Sequence, residues 1–594
     1  MDNAAKKYTL LDFIRIPFQH APLLCGVCFC QVIITALIPT LQIVVNANFI
    51  NKTISYFNGG AELSAVGIQF SFMVLLIAYQ WLSGIFISKQ WLRIELKLLQ
   101  TLRIHLLEKQ SRLEYKHMEN PKIHDLISRV CNNPEQRFLQ SLQLLMNSFS
   151  LIIRIVGVII IILAHVWWAA IIILLFSLPM FYISFKGSKN SYEVGKEVSQ
   201  NKRRHGYLMQ LLTGRDAADE RSLFNYTDFA TKKWDKHYET ARCLEFKTKK
   251  KWFIKLESSS VATAFVSIGI IAVLLNPVIV GSISFGIFAS LIQACFSIVQ
   301  IMSWDMNNYV DGLVVANEYI KEYTEFMQLS EENDVLTEPA LSFDFKMLEL
   351  DNVSFKYPGT ETYILKNCSF KIECGKQYAF VGKNGAGKTT VVKLITGLYN
   401  SYEGSIRVNG REIREFSHKE LKSLYSAIYQ DYARYGITMR ENIRIGNINC
   451  EENQLNINEK IEILGLDELV EQLPEGIDAV LGRMTEEGQD ISGGQWQKIA
   501  IARSMVSQAP VKILDEPTAA LDPVAESDIY QEFSHIMANQ TTIFISHRLG
   551  STKLADTIFV FDDGKIIEQG THQYLMSQKA TYYEMYESQA GWYR

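Results

Sequence analysis

Six stretches of nearly unbroken apolar residues stand in the first half of the chain. They lie near Pro22 to Asn46, Val66 to Ile87, Ser148 to Trp168, Ala170 to Phe185, Ser260 to Val280 and Phe285 to Trp304. Each is about long enough to carry an α-helix across roughly 30 Å of hydrocarbon, so the pattern predicts six transmembrane helices. Between the second and third, and between the fourth and fifth, run long segments of helix-forming composition with ten and seventeen Lys or Arg, whereas the opposite loops hold one, Lys52. The spanning helices are therefore expected to continue past the bilayer as rods, and the positive-inside asymmetry puts these segments and both termini in the cytoplasm. Ahead of the first span, Leu10, Leu11, Phe13, Ile14 and Phe18 predict an amphipathic helix lying in the interface. The start, MDNAAKKYTLLDFIRIPF, lacks the apolar core and cleavage site of a secretory signal and is expected to be retained.

Composition adds little to this picture and removes some alternatives. A chain of 594 residues predicts several domains, and its 48% hydrophobic content averages two unlike halves. A net charge of −4 gives no global electrostatic case for nucleic acid. Cys25, Cys28 and Cys30 sit in an apolar run, where thiols behave as small hydrophobes rather than metal ligands. Trp167 and Trp168 fall where the third helix should meet the outer interface, as aromatic belt residues or as substrate contacts. Arg154 is the one unambiguous charge inside a span. It either snorkels or pairs structurally, or it is a cation of a substrate cavity.

The second half changes character. A membrane domain over residues 1–330 and a polar linker over 331–345 are expected to precede an α/β domain over 346–594, where short β-rich runs alternate with helical ones. The run QYAFVGKNGAGKTTVVKLI reads as strand, glycine-rich loop and helix. Gly382, Lys383, Asn384, Gly385, Ala386, Gly387, Lys388, Thr389 and Thr390 form a P-loop. Its backbone N–H groups would cradle phosphate at a helix N-terminus, Lys388 would reach the β and γ phosphates, and the Thr389 hydroxyl would ligate Mg2+. A second apolar run ends in Asp515 and Glu516, so one carboxylate can orient the magnesium while the next activates water. Lys512, on the same expected buried strand, stands where an apolar residue is usual, and sequence alone does not say whether it snorkels or pairs.

Ile491 to Gln495, ISGGQ, resemble the LSGGQ signature of ATP-binding-cassette proteins, with Ile in the first place. In that family Ser492, Gly493, Gly494 and Gln495 would bind the γ-phosphate held by a partner domain. The resemblance runs through the whole cassette. Tyr357 in FKYPG resembles the aromatic that stacks on adenine, Gln430 the Q-loop glutamine that contacts magnesium and water, Asp522 the D-loop aspartate, and His547 the switch histidine. Since the signature serves a neighbour's nucleotide, one chain with one cassette is expected to pair, preferably with a second copy of itself.

Membrane domain first and cassette second resembles the exporter-type half-transporters of this family. It implies a multi-pass protein of the cell membrane, embedded in lipid, with ATP and Mg2+ as cofactors. Two stretches resemble its cytoplasmic coupling helices: EYKHMENPKIHDLISRV, and LLTGRDAADERSLFNY with Gly214 to Ala218 and Glu220 to Phe224. RYGITMRENI, TEEGQDISGGQWQKIAIAR and GRDAADERSLF are similar to bacterial exporters of lantibiotics and other ribosomal peptides that have no peptidase domain. The chain begins almost directly at its first helix, so any leader on such a cargo is expected to be cut elsewhere. Peptide export is favoured over drug or lipid export. An ATP-gated channel or membrane regulator is the alternative of another class.

Overall fold

The structure, a computed structural model, describes residues 6–590 apart from 216, 282, 302–304, 333–342, 449, 452–454, 484–486, 517–539 and 547–548. The chain divides into two compact units, Met1–Gln110 with Asp125–Leu329, and Ser111–His124 with Ser330–Arg594.

The first unit is helical. A short helix, α1 (Asp12–His20), precedes α2 (Pro22–Phe57) and α3 (Leu63–Leu98), which runs through one wide turn into α4 (Ile104–Ser111). After α5 (Tyr115–Met118), which belongs to the second unit, and α6 (Pro121–Cys131), which begins in it, come α7 (Pro134–His165), α8 (Trp167–Thr213), α9 (Ala218–Phe224), α10 (Thr227–Ile279), α11 (Phe285–Gln300) and α12 (Met306–Met327). Among the described residues three helices are long and apolar enough to cross a membrane: α2, α3 with its continuation to Ser111, and α7. Shorter apolar stretches cover Ala264–Ile279 and Phe285–Ile298. The expected fourth span falls in α8, several of whose side chains lie outside the description.

Close backbone approach holds these helices together, as it does wherever lipid removes the hydrophobic drive between them. A Cβ on Gly157 of α7 would stand 2.3 Å from the Thr40 hydroxyl of α2. Asn51 of α2 accepts from Gly286 N at 2.9 Å and donates to Ser284 Oγ at 3.0 Å, so it satisfies the first turn of α11. Ile43, Leu151, Val158, Ile162, Ile270 and Leu291 form the buried core beside these contacts.

Three sequence expectations are refined here. Val166 leaves helical geometry (φ −146°, ψ 75°), which ends α7 at His165. Trp167 and Trp168 therefore open the next helix instead of closing the third. The apolar face of α1 is covered by protein only in part: Phe13 is fully buried, 5.0 Å from the Phe138 ring and 6.3 Å from Tyr319, while Leu11 is exposed. Periodicity marks an apolar face without naming what covers it. Arg154 pairs with Asp305 at 3.1 Å, both side chains being part-buried, so its charge is balanced by protein.

In the second unit, β1 (Met347–Phe355), β2 (Leu365–Glu373), β4 (Glu403–Val408) and β5 (Arg411–Glu412) form an antiparallel sheet in the order β2-β1-β4-β5. The larger sheet is built from β3 (Gln377–Gly382), β6 (Tyr425–Ile428), β7 (Val511–Asp515), β8 (Thr541–Ile545), β9 (Thr557–Asp562) and β10 (Lys565–Gly570), in the order β10-β9-β3-β8-β7-β6. All its neighbours are parallel except β10 with β9. The five residues of β7 and of β8 are all buried, as a sheet covered on both faces requires. The second unit's helices include α13 (Lys388–Ile395), α14 (His418–Leu424), α15 (Met439–Arg444), α16 (Ile457–Ile463), α17 (Asp467–Gln472), α18 (Gly493–Met505), α19 (His572–Gln578) and α20 (Thr581–Ala590).

The pairing of Arg154 carries a stability prediction. Asp305→Asn should lower the midpoint of heat inactivation in detergent by roughly 2–4 °C, the effect of about 1 kcal/mol in a domain of this size. The double variant Arg154→Met/Asp305→Leu should recover most of that loss; equal or greater loss in the double variant would contradict a structural pair.

Candidate active site

Strands β3, β7 and β8 are neighbours and end on the same edge of the parallel sheet, the edge where such sheets bind ligands. β3 runs into a turn that only glycine can make: Gly382 has φ 144°, and a Cβ there would stand 2.2 Å from the carbonyl oxygen of Phe561. Gly387, at φ 102°, then starts α13. Lys388 folds back over this loop and donates to the carbonyls of Gly382 (2.7 Å) and Lys383 (3.1 Å). Burial holds its ammonium below the usual lysine range, partly offset by Glu516 and Asp515. Two of its three N–H groups are thus engaged, and the helix N-terminus beside it offers positive potential to an anion.

The Thr389 hydroxyl donates to Asp515 Oδ2 at 3.0 Å. Asp515 is almost fully buried, and its Oδ1 has no hydrogen-bond partner among the described residues. Burial pushes its carboxyl up to about 6, and the bond from Thr389 offsets this only in part. An orphaned, buried carboxylate oxygen beside a threonine hydroxyl is a hard-oxygen donor set, which fits Mg2+.

At the next residue the backbone turns over. Glu516 has φ 50°, a left-handed conformation rare outside glycine. Its N–H donates to Ile545 O at 2.9 Å, which pins the turn to the end of β8. The turn ends the alternation of strand side chains, so the two adjacent carboxylates share one site. Gln430, after β6, donates through Nε2 to Glu516 Oε2 at 3.2 Å.

The signature residues open α18. Ser492 accepts from Gln495 N at 3.2 Å, and Gln495 Oε1 accepts from Ser492 N at 2.8 Å, a reciprocal cap. These bonds are to each other, while Lys388, Thr389, Asp515, Glu516 and Gln430 gather at the sheet edge. Tyr357 packs edge-on to Phe355 (5.2 Å) and Tyr399 (5.6 Å), and its hydroxyl lies 3.1 Å from Thr390 Oγ1. Asp522 and His547 lie outside the described residues.

Further side chains, among them the Lys512 noted in the sequence, tie the parts together. Gln497 of α18 donates to Glu516 O at 3.2 Å, and Arg503 near the end of that helix donates to Asn442 O at 3.0 Å. Lys512 is enclosed in β7, and its ammonium donates to Ser504 O (2.9 Å) and Ser507 O at the carboxyl end of α18. It therefore pairs with a helix terminus, whose negative dipole end suits a cation. Burial lowers its pKa to about 8. The Ser111–His124 segment, within the first stretch resembling a coupling helix, belongs to this unit. Its Glu119 accepts from Tyr115 OH (2.9 Å), Lys393 Nζ (2.6 Å) and Tyr399 OH, and Lys393 lies over the rings of Tyr115 (5.4 Å) and Tyr357 (5.6 Å). Burial raises the Glu119 pKa, but these three donors outweigh it and hold the carboxyl below its usual value. No motif marks this cluster.

Residues 365–519 match the family model described as "ABC transporter". Over 568 residues the chain is 30% identical to the subtilin transport ATP-binding protein SpaT of Bacillus subtilis, covering 94% of this chain and 90% of that one. The nisin transport ATP-binding protein NisT of Lactococcus lactis is 26% identical over 566 residues, 94% of this chain and 92% of that one. An ATP-dependent lipid A-core flippase of Shewanella denitrificans is 41% identical over 248 residues, 41% of this chain and 40% of that one. In fold, the chain is similar to a bacterial Atm1-family ABC exporter with ATP bound, at a TM-score of 0.78 and 20% identity over 96% of this chain and 99% of that one.

Two outcomes follow from the buried charges. Asp515 in the folded protein holds a proton between about pH 4 and 6 that it loses when unfolded, so its ionisation at higher pH weakens the nucleotide-free fold. At pH 7.5 Asp515→Asn should therefore melt higher than wild type without nucleotide, yet lose Mg2+-dependent ATPase activity; a lower melting point would refute the desolvation argument. Lys512 has the opposite linkage. Between about pH 8 and 10.5 the unfolded chain binds the proton that the folded one has lost, so this residue's contribution to stability rises with pH. The wild-type melting temperature should gain on that of Lys512→Met from pH 7 to 9.5, and a constant difference would contradict it.

Proposed function

The chain belongs to the ATP-binding-cassette transporter family, and from that membership we propose that it is a homodimeric exporter moving a peptide from the cytoplasm across the cell membrane. It is an ATP hydrolase coupled to transmembrane transport. The observation that carries the peptide reading is the extent of the likeness. The subtilin and nisin transport proteins match over 94% of the chain, membrane half included, whereas lipid A-core flippases match over 41% to 53%. Six spans, with residues 1–330 as the membrane domain, 331–345 as linker, 346–594 as cassette and both termini cytoplasmic, complete the proposal.

In this reading the backbone N–H groups of the loop from Gly382 to Thr390 hold the phosphates of ATP, and Lys388 exchanges its loop carbonyls for the β and γ phosphates. The exposed side of Tyr357 stacks on adenine. Thr389, Asp515 and Gln430 would hold Mg2+, which when bound supplies charge neutralisation at the β and γ oxygens. Glu516 takes the proton of the attacking water, with Gln430 orienting its carboxylate, and His547 steadies the γ-phosphate. Ser492, Gly493, Gly494 and Gln495 come from the second copy and close over the same nucleotide, with Asp522 at the seam. The reciprocal cap of Ser492 and Gln495 fixes the first turn of α18 in the form this role needs.

ATP binding then draws the cassettes together, and the coupling segments pass that closure to the membrane helices. The Glu119 cluster supports the first segment in this role. For the second, the short helix α9 presents exposed Leu223 and Phe224, apolar surface suited to docking on a cassette. Hydrolysis resets the dimer. The Arg154–Asp305 pair is read as structural rather than as a cavity cation. A drug or lipid cargo is the alternative within the class. A channel or regulator is disfavoured by Gln430 set against Glu516, an arrangement for turnover.

Inside-out proteoliposomes offered peptides, drugs and lipids test this reading, with Glu516→Gln as the blank. Wild type should concentrate a peptide above the bath level in the presence of ATP, and the variant should hydrolyse at least about a hundredfold more slowly while still binding ATP. Equilibration only to the bath level would identify a channel. Accumulation of a lipid or drug but no peptide would replace the cargo, and wild-type turnover in the variant would remove Glu516 as the base.

A further inference from the structure

One surface feature of the first unit has no part in the ATP site. On α10, Lys247, Lys249, Lys250, Lys251 and Lys255 crowd into nine residues, and all five are exposed. The α8 helix packs against α10 here, because a Cβ on its Gly187 would stand 3.1 Å from the buried Trp252 ring. That contact brings exposed Lys186 and Lys189 to the same level. Over residues 185–193 and 246–255 there are seven lysines and one carboxylate, Glu193. None of the seven is in an ion pair among the described residues; Lys186 lies over the Tyr182 ring (5.7 Å) and Lys255 over Trp252 (4.8 Å). The nearby Glu245 is taken by Lys202.

So dense an unbalanced charge is unfavourable unless a counter-charge covers it. Its position identifies that counter-charge. Lys186 directly follows the expected end of the fourth span at Phe185, and Lys255 to Lys250 precede the expected start of the fifth at Ser260 by five to ten residues. At 1.5 Å per residue that is about 8–15 Å, the depth of the headgroup layer once the lysine stems reach toward it. Exposed Tyr182, Phe185, Phe246, Phe253 and Ile254 interleave with the lysines, an aromatic and apolar surface for acyl chains and the interface.

We propose that this α8–α10 lysine cluster is a binding site for the phosphate headgroups of anionic phospholipids in the cytoplasmic leaflet. It rests on the membrane orientation given above. The cluster selects lipid by charge and leaves ATP chemistry to the other unit, so its loss changes lipid retention and not basal hydrolysis.

The full chain in nanodiscs of phosphatidylcholine, with or without phosphatidylglycerol, provides the test. Phosphatidylglycerol retained after exchange into detergent is counted by native mass spectrometry. Wild type should retain it over phosphatidylcholine, and retention should fall as salt rises. Lys247→Gln/Lys250→Gln/Lys251→Gln/Lys255→Gln should weaken it at least about tenfold, at the scale of about 1 kcal/mol per lysine near the surface, with unchanged ATPase in phosphatidylcholine. The same four positions changed to Arg should retain the lipid. Equal retention in the Gln variant, or retention indifferent to salt, overturns the site while leaving the exporter reading intact. A chain that enters neither disc overturns both.

Discussion

A carboxylate removed from water at the end of a buried strand is the constraint around which the second unit is arranged. Asp515 keeps one oxygen on Thr389 and leaves the other without a partner among the described residues, in a place where burial raises its pKa to about 6. A fold optimised for stability alone would place a neutral or apolar group there. In the proposed reading the charge is tolerable because its complement would arrive with the substrate, the phosphates on Lys388 and the loop amides and the cation on Asp515. Unsatisfied electrostatics at Asp515 would thus become binding energy for a charged ligand. The left-handed turn at Glu516 is part of the same arrangement, since it brings the second carboxylate to the site without a second strand.

Side chains around this site tie it to the signature helix and to the segment proposed for coupling. The signature helix is fastened to the strand of Asp515 near both of its ends, by Gln497 on the Glu516 carbonyl and by Lys512 on the carbonyls of Ser504 and Ser507. In the proposed reading these bonds would let a shift of the strand end act on α18, whose first turn holds Ser492. On the other side, Lys393 of α13, the helix that opens the P-loop, bonds to Glu119 and spans the rings of Tyr115 and Tyr357. A segment contributed from early in the sequence is therefore linked through Lys393 to the residue proposed to stack on adenine. Nucleotide contacts and the segment proposed to couple them share side chains.

Much of this was legible because the chemistry is local in sequence. A phosphate-binding loop needs its glycines, lysine and threonine within nine residues, and two adjacent acids at the end of an apolar run are visible as such. Spans were legible where hydropathy is continuous, and less so where helices meet: only backbone geometry at Val166 assigned Trp167 and Trp168 to the following helix. Long-range pairings were not legible. Nothing in the sequence joins Lys512 to Ser504, Arg154 to Asp305, or Glu119 to Lys393, because each pair is brought together by folding. The face of α1 shows the same limit, since amphipathic spacing serves a membrane interface and a protein neighbour alike. Cargo is the least legible property, as a transport cavity is a matter of shape rather than motif.

The central claim is that each ATP site is shared between two chains, and mixed dimers test it most directly. Lys388→Ala disables a P-loop and Ser492→Arg disables a signature, and each homodimer should be inactive. If the sites are shared, a dimer of one chain of each kind has both lesions in one site and an intact P-loop facing an intact signature in the other. Co-expressed and purified through two different tags, that heterodimer should regain ATPase activity, up to about half that of wild type if the sites act independently. A heterodimer as inactive as its parents would place the P-loop and signature of each site on the same chain and contradict the account.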